Sequence, residues 1–424
     1  MRVVQFSDSF IPIMDGVGNV VYRYAQNIAQ KGHECYVVAP MTDTGFRGKY
    51  PFEIVDYNGI PLWRMKSYRV GAPFLDAHCQ KRLNMISADI VHVHSPFIAG
   101  QAGVSFAQKR RLPIVGTFHS KYYNDFLQIT GVELLAKVGV KYVVDFYEKC
   151  TEVWAVSESS AQTLRSYGYK GDIRVMPNGT DIRAASDGGE AAVSEKYGLG
   201  DKPVLLFVGQ INRKKNIARI LEAAAGLQSD FRLVLAGQGP HEKELRRLAD
   251  ELGLGEKAIF TGHISDPDIL DSLYKRAQLF VFPSLYDTSG LVVREAAAMG
   301  TPSVVVRGSA AAECITDGEN GLLCEDNSGD LARVMNVALN DTRRLAEMGE
   351  RAKSTIPIPW SELVDDVLER YGEIAAEAEK ERAKNPKKKK KKKDRDKEKG
   401  KGKEKDGDKD RAEDREKDAD TDKD

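Results

Sequence analysis

Short runs of β-branched and aromatic residues alternate with helix-length segments along most of the chain, and the alternation runs twice. RVVQF, CYVVA, DIVHVH, LPIVGTF and EVWAVS make the first series, and PVLLFVG, RLVLAG, AIFTG, QLFVF and PSVVV the second. Each run is almost continuously apolar, as strands covered on both faces must be. The segments between them, such as NVVYRYAQNIAQKG with Gly32 as a C-terminal stop, carry helical periodicity. Strand and helix alternating in this way build parallel sheets with right-handed crossovers. An α/β chain of two doubly wound domains is therefore predicted, residues 1–182 and 200–357, with the charged passage Asp181–Lys202 as their linker. In such sheets ligands bind outside the carboxyl ends of the strands, so the cleft between two facing sheets is the expected site.

The rest of the chain has a different composition. Residues 380–424 contain no aromatic side chain and no apolar one besides alanine, too little to offset the entropy of ordering, and a disordered tail is predicted there. That segment holds 21 of the 63 Lys and Arg and 15 of the 63 Asp and Glu, so residues 1–379 carry 42 cationic against 48 anionic side chains. A mildly acidic body gives no reason to expect nucleic acid as a partner. The five cysteines are scattered and never spaced as CxxC, which argues for a reducing compartment and against zinc or a disulfide framework. No secretory leader is evident in MRVVQFSDSFIP, and no window has the length of uncharged apolar sequence that a membrane span needs. A cytoplasmic protein is expected.

Glycines and cations gather at the strand ends. DGVGN, FVGQINRKKN and AGQGP each follow a predicted strand, where glycine lets the backbone approach a ligand and the next helix offers its N–H groups to an anion. The two GxG pairs do not complete GxGxxG, because Val21 and Glu242 stand where the third glycine belongs, and a tight turn explains such a pair equally. Arg213, Lys214 and Lys215 precede a helix near Asn216, where positive charge opposes the helix dipole unless an anion such as a diphosphate joins it. A solvated basic turn is the alternative.

The stretch PSLYDTSGLVVREAAAMGTPSVVV places two acids around a small-residue turn. With a helix starting near Ser289 or Gly290, Leu291 and Glu295 share a face and Asp287 lies just outside the N-terminus. Glu295 sits among apolar residues, where a lone acid needs hydroxyls or a cation beside it. A polyhydroxyl ligand would satisfy both acids, and free N–H groups at Ser289–Val292 would hold its phosphates. Otherwise Asp287 is a helix cap and Glu295 forms a buried ion pair with Arg294 or another base. His119 ends a strand, and His92 and His94 share one strand face without a third ligand motif, so no metal is assigned.

These residues resemble the family-four retaining glycosyltransferases of the GT-B fold, over residues 1–375, through DGVGN, GTFHSKY, PNGTD, VGQINRKKN, AGQGP, FTGHIS and PSLYDTSGLVVREAAAMGTPSVV. In that family a Glu, seven residues and a second Glu mark the donor site. The resemblance implies two Rossmann-like domains facing a central cleft and transfer of a hexose from a nucleoside diphosphate, without metal or cofactor, to an acceptor hydroxyl. Glu295 would hold the nucleotide ribose and Asp287 the sugar hydroxyls. Ser289, Gly290, Leu291 and Gly16 would face the diphosphate, Lys215 would bind phosphate, and His119 would lie near the reacting carbon. His263 and Ile264 would border the base. Two positions depart from the pattern: Asp287 replaces the first Glu, and Gln210 replaces an Arg, for which Arg213 is expected to compensate.

The segment Ile356–Ala375 resembles the family's terminal helix, expected at 358–378 packing back on the first domain, with Pro357 and Pro359 at the crossing. The acceptor is expected to be a glycan or a lipid. The heptalysine run Lys387–Lys393 suggests peripheral contact with an anionic membrane at its inner face; the alternative, given 5 cations against 10 anions in Asp406–Asp424, is a tail that folds back on itself or solubilises the chain. The segment GVELLAKVGVKYVVDFYEKC carries Glu133, Lys137, Lys141 and Asp145 as a mixed-sign stripe, a poor membrane face. A non-catalytic sugar-nucleotide-binding protein and a nucleotide-sugar epimerase are the competing readings.

Overall fold

The structure, a computed structural model, describes residues 1–10, 15–41, 50–62 and 65–384. The described residues fall into two units, the first running Met1–Tyr371 and the second beginning at Gly372. The first unit contains two parallel sheets, and their strands form where the sequence is continuously apolar because both faces of each sheet are covered by helices.

The first sheet is built from β1 (Arg2–Phe6), β2 (Glu34–Met41), β3 (Glu53–Asn58), β6 (Ile90–Val93), β7 (Ile114–Phe118), β8 (Glu152–Ala155) and β9 (Ile173–Val175). Its order is β3-β2-β1-β6-β7-β8-β9, and β4 (Ile60–Leu62) and β5 (Met65–Val70) form a separate antiparallel hairpin. The helices of this half are α1 (Gly16–Gln30), α2 (Ala77–Met85), α3 (Ile98–Arg110), α4 (Tyr122–Thr130), α5 (Glu133–Tyr147) and α6 (Glu158–Ser166). Gly103 of α3 fits only because it lacks a side chain: a Cβ there would lie 2.7 Å from Val93 and 2.8 Å from the Phe6 ring.

The second sheet has the order β12-β11-β10-β13-β14-β15, with β10 (Val204–Val208), β11 (Arg232–Ala236), β12 (Ala258–Gly262), β13 (Leu279–Phe282), β14 (Ser303–Val306) and β15 (Leu322–Cys324). Around it lie α7 (Gly189–Lys196), α8 (Ile217–Ala225), α9 (Glu242–Glu251), α10 (Pro267–Arg276), α11 (Leu291–Ala298), α12 (Ser328–Leu339) and α13 (Thr342–Thr355). The expected linker is therefore partly folded: α7 lies inside it, and Val193 and Leu199 join the second core. Asp187, Glu195, Lys196 and Asp201 are exposed while two apolar residues anchor it, a pattern too short for sequence periodicity to reveal.

The last helix, α14, runs Trp360–Lys384, so Lys380–Lys384 are helical where disorder was expected. The remainder of the expected tail, with its heptalysine run, lies outside the described residues. The segment before α14 crosses to the first sheet, as the Thr180 N–H donating to the Ile358 carbonyl at 2.7 Å shows. Trp360 lies against Gly179, where a Cβ would be 2.5 Å from the indole, and Tyr371 stacks on Trp154 with ring centroids 5.5 Å apart. Such a ring pair adds about 0.5–1.5 kcal/mol beyond its area burial. Arg370 is ion-paired with Glu152.

One face of the first half departs from expectation. On α4, α5 and their turn, Ile129, Val132, Leu134, Leu135 and Val138 are exposed, at 61%, 47%, 70%, 52% and 61%. The mixed-sign stripe exists, with Glu133 and Lys137 3.9 Å apart, but it flanks an apolar arc rather than replacing it. Among the described residues no helix is long and apolar enough to cross a membrane.

Candidate active site

Each sheet reverses strand order once, between β1 and β6 in the first and between β10 and β13 in the second. Diverging connections at such a point open a crevice at the carboxyl ends of the two strands. In the second sheet the segments leaving that point are the basic turn after β10 and the loop Pro283–Gly290 after β13. They bring Lys215 and Asp287 together: the ammonium is bonded to the carboxylate, and both side chains are largely buried. Asp287 does not cap α11; Gly290 holds that position, at φ +60. A Cβ on Gly290 would stand 3.0 Å from the Ala311 backbone, so both conformation and space demand glycine there. The N–H groups of Val293 and Arg294 donate to the Gly290 carbonyl, leaving those of Leu291 and Val292 without an intrahelical acceptor. The start of α11 thus presents N–H donors and the positive end of its dipole beside Lys215.

Glu295 lies one turn into α11 and takes a hydrogen bond from the Tyr274 hydroxyl at 3.1 Å. Burial pushes its carboxyl up to about 7, against the lowering influence of Tyr274 and the Arg183 guanidinium. Arg183 is itself held by Asp271 at 2.8 and 3.0 Å. The expected alternative partner, Arg294, instead donates to the Ile356 carbonyl at 2.9 Å. A carboxyl surrounded in this way accepts a hydroxyl readily and resists standing alone as an anion.

The first half grips the same loop. Asn178 Nδ2 donates to Ser289 Oγ at 3.0 Å, Ser160 Oγ to the Thr288 carbonyl at 3.1 Å, and Lys121 Nζ to the Leu285 carbonyl at 2.8 Å. Burial lowers the Lys121 pKa, with Asp287 and Glu313 pulling the other way. Glu313 in turn accepts from the N–H groups of Glu158 and Ser159, at 2.8 and 2.7 Å, at the start of α6. Asn178 and Lys121 lie inside PNGTD and GTFHSKY, the motifs through which sequence could have found them; Glu313 carries no local signal.

His119 lies at the carboxyl end of β7, buried, with Nε2 3.2 Å from His94 Nδ1. His94 Nε2 is 2.9 Å from the Gln5 amide oxygen. An amide oxygen only accepts, so His94 carries its proton on Nε2, takes one from His119 Nε2–H, and leaves His119 Nδ1 as an acceptor. Burial drops the His119 pKa to about 3, keeping the ring neutral. Beside it His92 bonds Tyr371 at 2.5 Å and Thr117 at 2.7 Å. Among the described residues no group of three or more His, Cys, Asp or Glu side chains is disposed as metal ligands.

Gly16 opens α1, where the Asp15 carboxylate accepts from the Gly18 N–H at 2.7 Å, and nothing lies within 4 Å of where its Cβ would be. The glycines of AGQGP have another task. A Cβ on Gly237 would fall 1.8 Å from the Gly209 carbonyl oxygen, and one on Gly239 2.2 Å from that of Ile211, so these residues pack loop on loop. Arg213 is not beside Lys215: its guanidinium lies 3.1 Å from Glu244 of α9 and is 75% exposed. The three cations occupy a tight 3-10 turn, which fans consecutive side chains apart, so the expected compensation for Gln210 is not seen. His263 is exposed and Ile264 packs on the second core, both just beyond β12.

Family models match both halves: Glycosyltransferase Family 4 over residues 14–184 and Glycosyl transferases group 1 over residues 190–355. A GDP-mannose-dependent alpha-mannosyltransferase of Corynebacterium glutamicum is 28% identical over 390 residues, covering 89% of this chain and 90% of that protein. An alpha-monoglucosyldiacylglycerol synthase of Streptococcus pneumoniae is 28% identical over 318 residues, 72% of this chain and 70% of its own. A D-inositol 3-phosphate glycosyltransferase of Acidothermus cellulolyticus is 30% identical over 315 residues, 68% of each chain. The fold matches Anabaena HepE, solved with UDP and glucose, at a TM-score of 0.72 and 19% identity over 88% of this chain and 100% of that one. With both Rossmann-like halves matched by these family models, the chain belongs to the glycosyltransferases of group 1, of the GT-B fold.

Proposed function

We propose that the protein transfers a hexose from a nucleoside diphosphate to a hydroxyl of a membrane lipid, with the anomeric configuration retained. The observation that carries this reading is the Lys215–Asp287 pair at the strand switch point, beside the open N-terminus of α11 and one turn from Glu295. A diphosphate arriving there displaces Asp287 from Lys215 and meets the N–H groups of Ser289, Gly290 and Leu291, with Gly16 approaching from α1. The freed Asp287 carboxylate accepts from sugar hydroxyls, Glu295 from the ribose, and His119 Nδ1 from a further hydroxyl. His263 and Ile264 border the base.

The bond from the anomeric carbon to the phosphate oxygen breaks as the acceptor oxygen bonds on the same face, and the acceptor proton passes to the departing phosphate. Lys215 and the start of α11 stabilise the developing charge, each well-placed donor supplying about 3–4 kcal/mol. On this reading no metal is needed. An exposed apolar face on α4 and α5, with Lys137 and Lys141 beside it, supports a lipid acceptor reached from a bilayer surface. So does the alpha-monoglucosyldiacylglycerol synthase among the relatives. Residues 387–405, with 13 cations against 4 anions, would add electrostatic attraction to an anionic leaflet.

The test is incubation with UDP-glucose or GDP-mannose and vesicles of anionic phospholipid containing diacylglycerol or phosphatidylinositol. Donor-dependent nucleotide release with a new α-glycolipid supports the proposal. An isomerised sugar points to an epimerase, and nucleotide binding without release to a non-catalytic binder; either result overturns it.

A further inference from the structure

Each partner of the Lys215–Asp287 pair has an immediate chain neighbour, Lys214 and Tyr286, and one residue of the opposite half holds both neighbours. Asp125, on α4, accepts from Lys214 Nζ at 2.9 Å and from the Tyr286 hydroxyl, and the Lys214 ammonium lies 4.0 Å from the centre of the Tyr286 ring. Burial, with Asp125 next, raises the Tyr286 pKa well above its ordinary value, so the phenol remains a donor. Because neighbouring side chains diverge, Lys214 and Tyr286 turn toward α4 while Lys215 and Asp287 turn toward each other. We infer that Asp125 is a positioning residue: it sets the spacing of Lys215 and Asp287, and hence the donor loop, whenever the acceptor half is closed against it.

The stability that Asp125 supplies does not make the case. Its ion pair with Lys214 is partly exposed, at 37% and 30%, and such pairs are worth little by themselves. What distinguishes it is geometry: a single carboxylate ties the basic turn and the donor loop, 72 residues apart at Lys215 and Asp287, to a third element from the other sheet. A small misplacement of either partner is enough to cost about 10²-fold in turnover. Asp125 also lies on the helix whose end, at Ile129, begins the exposed apolar face. An acceptor surface pressed on α4 therefore acts on the donor loop through Asp125, beside the Lys121 bond to the Leu285 carbonyl at the start of the same helix.

The inference rests on the proposed transfer only for the loop's task, and a measurement without substrate separates the two. Amide hydrogen exchange of the full chain is compared for wild type, Asp125→Ala, Asp125→Asn and the control Asp145→Ala, an exposed acid on α5. Expected is about tenfold faster exchange across 213–217 and 283–291 in Asp125→Ala, with β10 and β13 unchanged and Asp145→Ala like wild type. The double variant Asp125→Ala/Tyr286→Phe should exchange no faster than Asp125→Ala alone. Asp125→Asn, which keeps an oxygen for Tyr286 and loses the charge facing Lys214, should fall between, and it carries the test if Asp125→Ala fails to fold. Rates within about twofold of wild type, or acceleration spread over β10 and β13, overturn the inference. With a donor and acceptor turned over by wild type, kcat should drop about 10- to 100-fold in Asp125→Ala while donor KM stays within about threefold. A KM change without a kcat change overturns it. If wild type turns over neither UDP-glucose nor GDP-mannose, the functional reading fails on its own and the exchange measurement still decides the role of Asp125.

Discussion

Lys215 and Asp287 are bonded to each other, the cation of the basic turn against the carboxylate of the loop that opens α11. Each satisfies the other where a diphosphate and a sugar would replace them both, so the two substitutions should act in opposite directions on nucleotide alone. Lys215→Met is expected to weaken UDP binding about 10- to 100-fold, the worth of one charged hydrogen bond. Asp287→Ala frees the lysine and should leave UDP binding equal or tighter while reducing sugar transfer about 10²-fold or more. Titration calorimetry with UDP, beside turnover, separates these outcomes; parallel losses of UDP affinity would refute the exchange of partners.

Glu295 should make the protein's stability depend on pH. Its folded carboxyl is raised from 4.5 to about 7, so between those values the native state binds the proton more tightly than the unfolded chain. The resulting stabilisation is fully present below about 4.5 and is lost as pH rises through 7. Glu295→Gln should remove that slope and stabilise the unliganded protein at pH 8 by on the order of 3 kcal/mol. Urea unfolding at pH 5 and pH 8 measures it.

The three neighbouring histidines should act with the opposite sign. Burial holds His92 and His94 well below 6.5 and His119 at about 3, so an unfolded chain takes up protons that the native state refuses. Stability should therefore be level above pH 6.5 through these groups and fall beneath it, each contributing up to about 1.4 kcal/mol per pH unit. Thermal midpoints between pH 4 and pH 7 report this, and His92→Gln should flatten the fall by one proton. A neutral His119 also predicts a rate profile with no limb of its own near pH 6.5.

Two glycines that look alike in sequence should respond differently to alanine. Gly237→Ala drives a methyl into the Gly209 carbonyl from a backbone at φ +146 and should destabilise the fold by about 2–4 kcal/mol. Gly16→Ala meets open space, so its denaturation midpoint should match wild type within the few tenths typical of neutral sites, while use of a diphosphate donor drops. Equal effects of the two on stability would show that Gly16 is also a packing residue.

Sequence by itself determined the strand–helix alternation, the ten apolar strands, the presence of Lys215, Asp287 and His119 at strand or helix ends, and Glu295 one turn into α11, because apolar periodicity and turn chemistry are local. It missed β3, β4, β5, β9 and β15, whose runs are short or mixed with polar residues. It also placed Arg213 as the compensation for Gln210, where the guanidinium turns to Glu244, and left open whether the AGQGP glycines face a ligand or only a turn, since local charge and flexibility do not say which neighbour a residue will meet. Only the tertiary structure decided that Lys215 faces Asp287, that Asp125 holds the neighbours of both, and that Glu295 shares Tyr274 rather than Arg294. Those partners come from elements far apart in the chain, and their meeting is set by how two sheets and their crossovers pack, a property of summed burial that no short stretch of sequence carries.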